Sequence, residues 1–213
     1  MNKIKVYGEP PTRVIRVLWL LNELGLEYEL EPMDPLGEEA RSPAFRALNP
    51  TGKVPVLIDG DLVLTESAAI QLYLAEKVPH SGLIPEDLTE RAQMYRWMFF
   101  LVTEIEQPLW RIARNTAIYP EEKRIPADVP IAAHECKQMV AVLEQHMQGR
   151  AYLVGERLSV ADLNAAYTLD WAREADMLGD APTLRAFVER MYARPKAPPT
   201  IKAAFAALRA QGA

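Results

Sequence analysis

No segment of this chain constrains its fold as tightly as the run Gly52-Lys53-Val54-Pro55-Val56-Leu57-Ile58, followed by Asp59-Gly60, Leu62-Val63-Leu64 and Thr65-Glu66-Ser67-Ala68-Ala69-Ile70. Proline has no backbone N–H, and holding an X-Pro bond cis costs only about 0.5–1 kcal/mol, so Val54-Pro55 at the mouth of a strand can turn the chain sharply. A cis turn at Pro55 leaves the N–H and C=O of Val54 facing outward, where an extended peptide gains main-chain hydrogen bonds as an added strand. Val56-Leu57-Ile58 reads as a short buried strand, Asp59-Gly60 as a two-residue hairpin turn, and Leu62-Val63-Leu64 as the antiparallel return. A helix follows.

Thr65-Glu66-Ser67 falls where that helix starts. The first N–H groups of a helix have no internal partners and lie at the positive end of its dipole, so a carboxylate is favoured there. The Ser67 hydroxyl and N–H can both donate to one, and Glu66 can accept from an ammonium beside it, a pairing that fits an amino-acid zwitterion. Each feature also has an ordinary reading, Thr65-Glu66-Ser67 as a helix cap and Val54-Pro55 as a strand start. In this order and spacing they point to a pocket for a small peptide.

At 213 residues, with 49% hydrophobic and 25% charged, the chain is large enough for one big globular domain or two modest ones. No apolar run reaches the ~20 residues of a membrane span, and Met1-Asn2-Lys3-Ile4-Lys5 leads into a strand without a signal-peptide pattern. A cytoplasmic location without membrane partners is therefore expected. The net charge of −5 argues against nucleic acid as the main partner. Cys136 is the single cysteine, which excludes an intramolecular disulfide and a Cys-X-X-Cys pair. His80, His134 and His146 show no zinc-type spacing, so no metal site is expected.

The first part of the chain alternates strand and helix: a strand over 3–7, a helix over 12–24 closed by Gly25, a strand over 27–31, a weaker helix over 38–48, the hairpin, and a helix over 66–77. This order predicts a four-stranded mixed sheet covered by helices. Pro, Gly and Ser then concentrate around His80 to Pro85, and strand signals cease. We therefore expect a first domain over 1–79, a linker over 80–87 and an all-helical domain over 88–213. In the last, long helices are predicted over 89–116, kinked by Pro108, and over 131–148. Ser159-Val160-Ala161-Asp162 reads as a capping box with a purely structural role.

The blocks Tyr7-Gly8, Arg16 to Leu26, Asn49-Pro50-Thr51-Gly52-Lys53-Val54-Pro55, Glu66-Ser67, Leu153-Val154-Gly155-Glu156 and Leu158-Ser159-Val160-Ala161-Asp162 resemble the glutathione transferase family. The resemblance covers nearly the whole chain. It implies a thioredoxin-like first domain (α/β) with a cis-proline at Pro55, a helical-bundle second domain, and glutathione as co-substrate. It also implies a hydrophobic electrophile or a peroxide or disulfide as second substrate, and a homodimer. The implied glutathione-binding residues are Lys53, Val54, Glu66, Ser67 and Arg41, with Lys53 and Arg41 for the glycine carboxylate.

Catalysis in such a family member means forming thiolate at neutral pH from a group whose free pKa is about 8.5. Thr12 lies four residues before Arg16, which resembles the catalytic hydroxyl of serine-type members; Tyr7, at the strand end, corresponds to tyrosine-type members. Their ordinary readings are a helix cap for Thr12 and a packed aromatic for Tyr7. The loop departs from the family pattern in carrying Gly8-Glu9-Pro10-Pro11-Thr12, where an anion at Glu9 opposes ionisation of a nearby thiol. Trp97, Phe100, Trp110 and Trp171 stand as contributors to a hydrophobic wall or as core. The family also contains non-catalytic binding modules, the alternative reading for this chain.

Overall fold

The structure, a computed structural model, describes residues 3–211. The chain divides into two compact units, one of residues up to Ile84 together with residues from Pro195 onward, the other Pro85–Arg194. The C-terminal helix thus groups with the first unit, not with the helical domain to which 88–213 was assigned. One tie is visible within that unit: the Lys196 ammonium donates to the Glu23 carbonyl at 3.1 Å.

The first unit is built on β1 (Ile4–Tyr7), α1 (Val14–Leu24), β2 (Tyr28–Glu31), α2 (Pro43–Leu48), β3 (Val56–Asp59), β4 (Leu62–Thr65) and α3 (Ser67–Lys77). The sheet order is β2-β1-β3-β4, with β1 parallel to β2 and antiparallel to β3, and β3 antiparallel to β4. Alternation along β1 buries Ile4 and Val6 on one face and leaves Lys5 and Tyr7 half-buried on the other. Every α1 residue from Val14 to Leu21 is buried, and the helix packs against α3. Gly25 ends it at φ 68°, a left-handed conformation in which its N–H reaches the Asn22 carbonyl and that of Leu26 reaches Leu21.

The expected helix over 38–48 is broken. A short 3-10 turn at Glu39–Arg41 stops at Ser42, which is extended (ψ 148°) and caps α2 by accepting from the Phe45 N–H. Pro43 is the cause: it disfavours helical geometry at the preceding residue and suits the first position of a new helix. The first helix also starts two residues late, at Val14 rather than Thr12.

The second unit contains α4 (Leu88–Phe100), α5 (Gln107–Ala113), α6 (Asp128–Met147), α7 (Val160–Glu174) and α8 (Pro182–Tyr192); α9 (Ile201–Gln211) belongs to the first. Between α4 and α5 the chain takes wide π-helical turns over Leu101–Glu106, and again over Arg114–Ile118 after α5. Pro108, expected to kink this run, is the second residue of α5, two positions after the end of the first wide turn. A proline ring collides with the carbonyl four residues back in regular α-helix, and the enlarged turn relieves that conflict.

The α7 start is the capping box read from sequence. The fully buried Asp162 carboxylate accepts from the Ser159 N–H and hydroxyl and from the Leu153 N–H, all at 2.8 Å. Burial pushes its pKa up to about 6 against the pull of these donors. No helix among the described residues is long and apolar enough to cross a membrane.

Candidate functional site

The site is assembled at one end of the β3–β4 hairpin. Val56 pairs with Thr65, so the residues just before β3 and just after β4 emerge side by side. On the β3 side the Val54–Pro55 peptide is cis and both residues are buried. Among the described residues no main-chain partner meets the N–H or C=O of Val54. On the β4 side Glu66 takes φ 66°, ψ 108°, rare for a side-chain-bearing residue, and α3 begins at Ser67. Asp59 at the far end of β3 accepts from the Tyr73 hydroxyl at 2.9 Å and pairs with Lys77, tying α3 back to the hairpin.

The loop preceding Val54 is stapled by Asn49, a buried residue that sequence reasoning quoted only as part of a motif. Its Oδ1 accepts from the Thr51 N–H (3.1 Å) and hydroxyl (2.9 Å), and its Nδ2 donates to the Lys53 carbonyl at 2.7 Å. Gly52, at φ 67°, passes so close to the 3-10 turn that a Cβ there would lie 2.9 Å from the Ala40 carbonyl oxygen. This contact brings the turn carrying Arg41 against the residue next to Lys53. Arg41 and Lys53 are both exposed, and so is Arg46, whose guanidinium approaches the Pro50 carbonyl at 3.5 Å. The sequence reading passed over Arg46, which no local motif marks.

Gly8 closes the assembly from β1. Its N–H donates to the Glu31 carbonyl at 3.0 Å, its φ is 132°, and it lies between the side chains of Val54 and Val14. The following loop contains a second cis bond, Pro10–Pro11. Thr12 uses its hydroxyl locally: Oγ1 donates to the Glu9 carbonyl at 2.6 Å and accepts from the Val14 N–H at 3.4 Å. These contacts belong to the turn ahead of α1, whose N-cap is Arg13, so Thr12 is not the helix cap of its ordinary reading. Tyr7 lies on the Lys5 face of β1, and its ring packs 5.9 Å from that of Phe45 in an apolar cluster of Met33, Ala40, Phe45, Val54 and Val56. The packed-aromatic reading of Tyr7 matches this environment, because α2 covers the sheet face that strand alternation left open.

Beneath the α3 start lies Arg16. It is 1% exposed, and its Nη1 donates to the Ser67 hydroxyl at 3.2 Å. In the sequence this arginine opens the Arg16 to Leu26 block and marks the position of Thr12; its contact with Ser67 spans 51 residues and has no local signature.

In the second unit, Trp97 is 2% exposed and stacks on His146, with ring centroids 4.1 Å apart, which makes it core. Trp110 and Trp171 meet edge to face at 5.9 Å and are only half-buried. Cys136 is fully buried with its thiol directed to the Ile105 carbonyl, and burial pushes its pKa up to about 12. Among the described residues no group of three or more His, Cys, Asp or Glu is placed to hold a metal ion.

The family model described as glutathione S-transferase, N-terminal domain, matches residues 2–76, and that described as glutathione S-transferase, C-terminal domain, matches residues 102–195. Glutathione S-transferase 1 of Dianthus caryophyllus is 38% identical over 152 residues, covering 70% of this chain and 67% of the relative. A probable glutathione S-transferase of Oryza sativa subsp. japonica is 33% identical, covering 100% of each chain. Among solved structures, the theta class glutathione S-transferase of the citrus canker pathogen Xanthomonas axonopodis pv. citri, with glutathione bound, gives a TM-score of 0.80 at 29% identity over 92% of this chain and 95% of that one. The four-stranded mixed sheet with its cis-proline edge, the helical second unit and these matches agree: the chain belongs to the glutathione S-transferase family.

Proposed function

We propose that this chain is a glutathione transferase that holds the tripeptide along the Val54–Pro55 turn and the start of α3, ionises its thiol, and directs the thiolate at an electrophilic carbon, a peroxide or a disulfide. One observation carries the reading. The β3–β4 register sets a Val54 main chain that has no main-chain partner among the described residues beside a helix start with a buried serine, so one short peptide can satisfy both. In this arrangement Val54 pairs with the cysteinyl backbone. Ser67 and the first N–H groups of α3 take the γ-glutamyl carboxylate, and Glu66 accepts from the adjoining ammonium. Lys53 and Arg41 serve the glycine carboxylate from the exposed rim.

Calorimetric titration with glutathione, with ultraviolet absorbance of the bound thiolate followed in parallel, tests the reading. Wild-type protein should bind glutathione and show thiolate at neutral pH. Glu66→Ala and Ser67→Ala should each weaken binding by roughly tenfold or more, since each leaves half of a zwitterion unpaired. Absence of binding by the wild type would refute the assignment.

Thiol activation is assigned to Thr12 ahead of Tyr7, whose ring is engaged with Phe45. Turning the Thr12 hydroxyl from the neutral Glu9 carbonyl to a thiolate exchanges an ordinary hydrogen bond for a charge-assisted one, a gain on the order of 1 kcal/mol. Thr12→Ala should therefore raise the bound thiol's pKa by about one unit while sparing affinity. An unchanged pKa would transfer the role to Tyr7 or to backbone donors. With Cys136 buried, the chain's one thiol is not positioned to form a mixed disulfide with substrate, so the mechanism has no covalent enzyme intermediate.

The second substrate in this proposal is a hydrophobic electrophile, and the protein acts in the cytoplasm as a homodimer. Exposed apolar side chains in each unit support association, Leu62 and Val63 on the edge strand of the first and Phe99 and Val142 in the second.

A further inference from the structure

Ser67 is 5% exposed, and its hydroxyl oxygen accepts from Arg16 Nη1. A serine hydroxyl has one proton and two lone pairs, whereas a guanidinium is donor-only. When the guanidinium occupies a lone pair, the hydroxyl cannot spend its proton on the same partner. Among the described residues no acceptor takes that proton within the protein. The proton is thereby reserved for a group arriving from outside.

The placement of Arg16 is itself fixed. Ser67 and Gln71 are one helical turn apart on the same face of α3, and the Gln71 side-chain Nε2 donates to the Arg16 carbonyl at 3.4 Å. Gln71 is fully buried, so α3 grips the main chain of Arg16 through one residue and meets its side chain through another.

Resting on the proposed function, we infer that Arg16 is a positioning residue for the γ-glutamyl carboxylate: by donating to Ser67 from below, it turns Ser67 into a committed donor toward the ligand anion. The ligand feature it selects is an α-carboxylate at the start of α3, and its effect passes through the Ser67 hydroxyl.

A double-mutant cycle measured by calorimetry reads this directly. Arg16→Lys and Arg16→Met, each checked for folding by thermal melting, should weaken glutathione binding by about fivefold to tenfold in the otherwise native protein. On a Ser67→Ala background the same substitutions should change affinity by less than about twofold, because the group they act through is gone. Against 4-aminobutanoyl-cysteinyl-glycine, which lacks the γ-glutamyl α-carboxylate, both Arg16 substitutions should be nearly silent. A merely structural arginine would instead give losses that multiply with Ser67→Ala and do not depend on the ligand carboxylate, and that outcome overturns the proposal. A neutron structure of the wild-type complex tests the same point without substitution: the Ser67 deuterium should lie toward the ligand carboxylate, and a deuterium directed at the protein's own atoms also overturns it. If wild-type protein binds no glutathione, the functional assignment falls and the inference with it; if it binds and the cycle is additive, only the role of Arg16 falls.

Discussion

Gly8→Ala should destabilise the first unit by about 2–5 kcal/mol and remove most of the glutathione affinity. Two costs combine. At φ 132° the backbone is in a region that L side chains rarely adopt, and a Cβ would lie 3.1 Å from Val54 Cβ and 3.2 Å from Val14 Cβ. Neither valine has room to yield: Val14 is fully buried at the start of α1, and Val54 is 7% exposed beside the cis bond. Pressure on Val54 moves the main-chain groups to which the peptide would pair, so affinity and stability should fall together. Gly25→Ala is the matched control. It carries a similar left-handed strain at φ 68°, but nothing lies within 4 Å of its Cβ, so it should cost only about 1–2 kcal/mol and leave binding unchanged. Denaturant melts and titration calorimetry on both variants decide the matter, and native affinity in Gly8→Ala would show that the Val54 edge is not the binding surface.

That contrast between two glycines also marks what a sequence makes legible. Gly25 was readable because its role is local, ending a helix whose periodicity precedes it. Gly8 was visible as part of Tyr7-Gly8 and of the loop that follows, but its tight packing was not, since its neighbours Val14 and Val54 lie elsewhere in the chain. The hairpin, the Asp59-Gly60 turn and the Ser159–Asp162 box were likewise local, each decided within a few residues. Arg16 and Asn49 were quoted within motifs, yet nothing near them announced a buried guanidinium under Ser67 or an amide that staples the Val54 loop. The break at Ser42 was legible in Pro43, and the helical spacing from Glu38 to Leu48 outweighed it wrongly. Tyr7 marks the limit of alternation as a guide. Period-two patterning gives the face of the sheet, but not whether a helix, here α2 through Phe45, will cover it.

Asp162→Ala should lower the stability of the second unit by about 3–4 kcal/mol at neutral pH, a fall in Tm on the order of 10 °C, although it lies outside the proposed peptide site. The carboxylate is the shared acceptor for the Ser159 N–H, the Ser159 hydroxyl and the Leu153 N–H, and its removal leaves buried donors without partners at the start of α7. Leu153 is held at its carbonyl as well, by His146 Nε2 at 2.9 Å. Because His146 stacks on Trp97, loosening of this turn should register in Trp97 fluorescence before global unfolding. The pH dependence has a defined sign. Burial holds Asp162 at about 6, above the ordinary 3.8, so between these values the folded chain retains a proton that the unfolded chain has lost. Its contribution is fully present below about pH 4 and declines as pH rises through 6, by up to about 3 kcal/mol. Asp162→Ala abolishes this titration, so its penalty relative to wild type should be larger at pH 4 than at pH 7. A penalty that instead grows with pH would mean that the three donors outweigh burial, and that the carboxylate is held ionised by the cap.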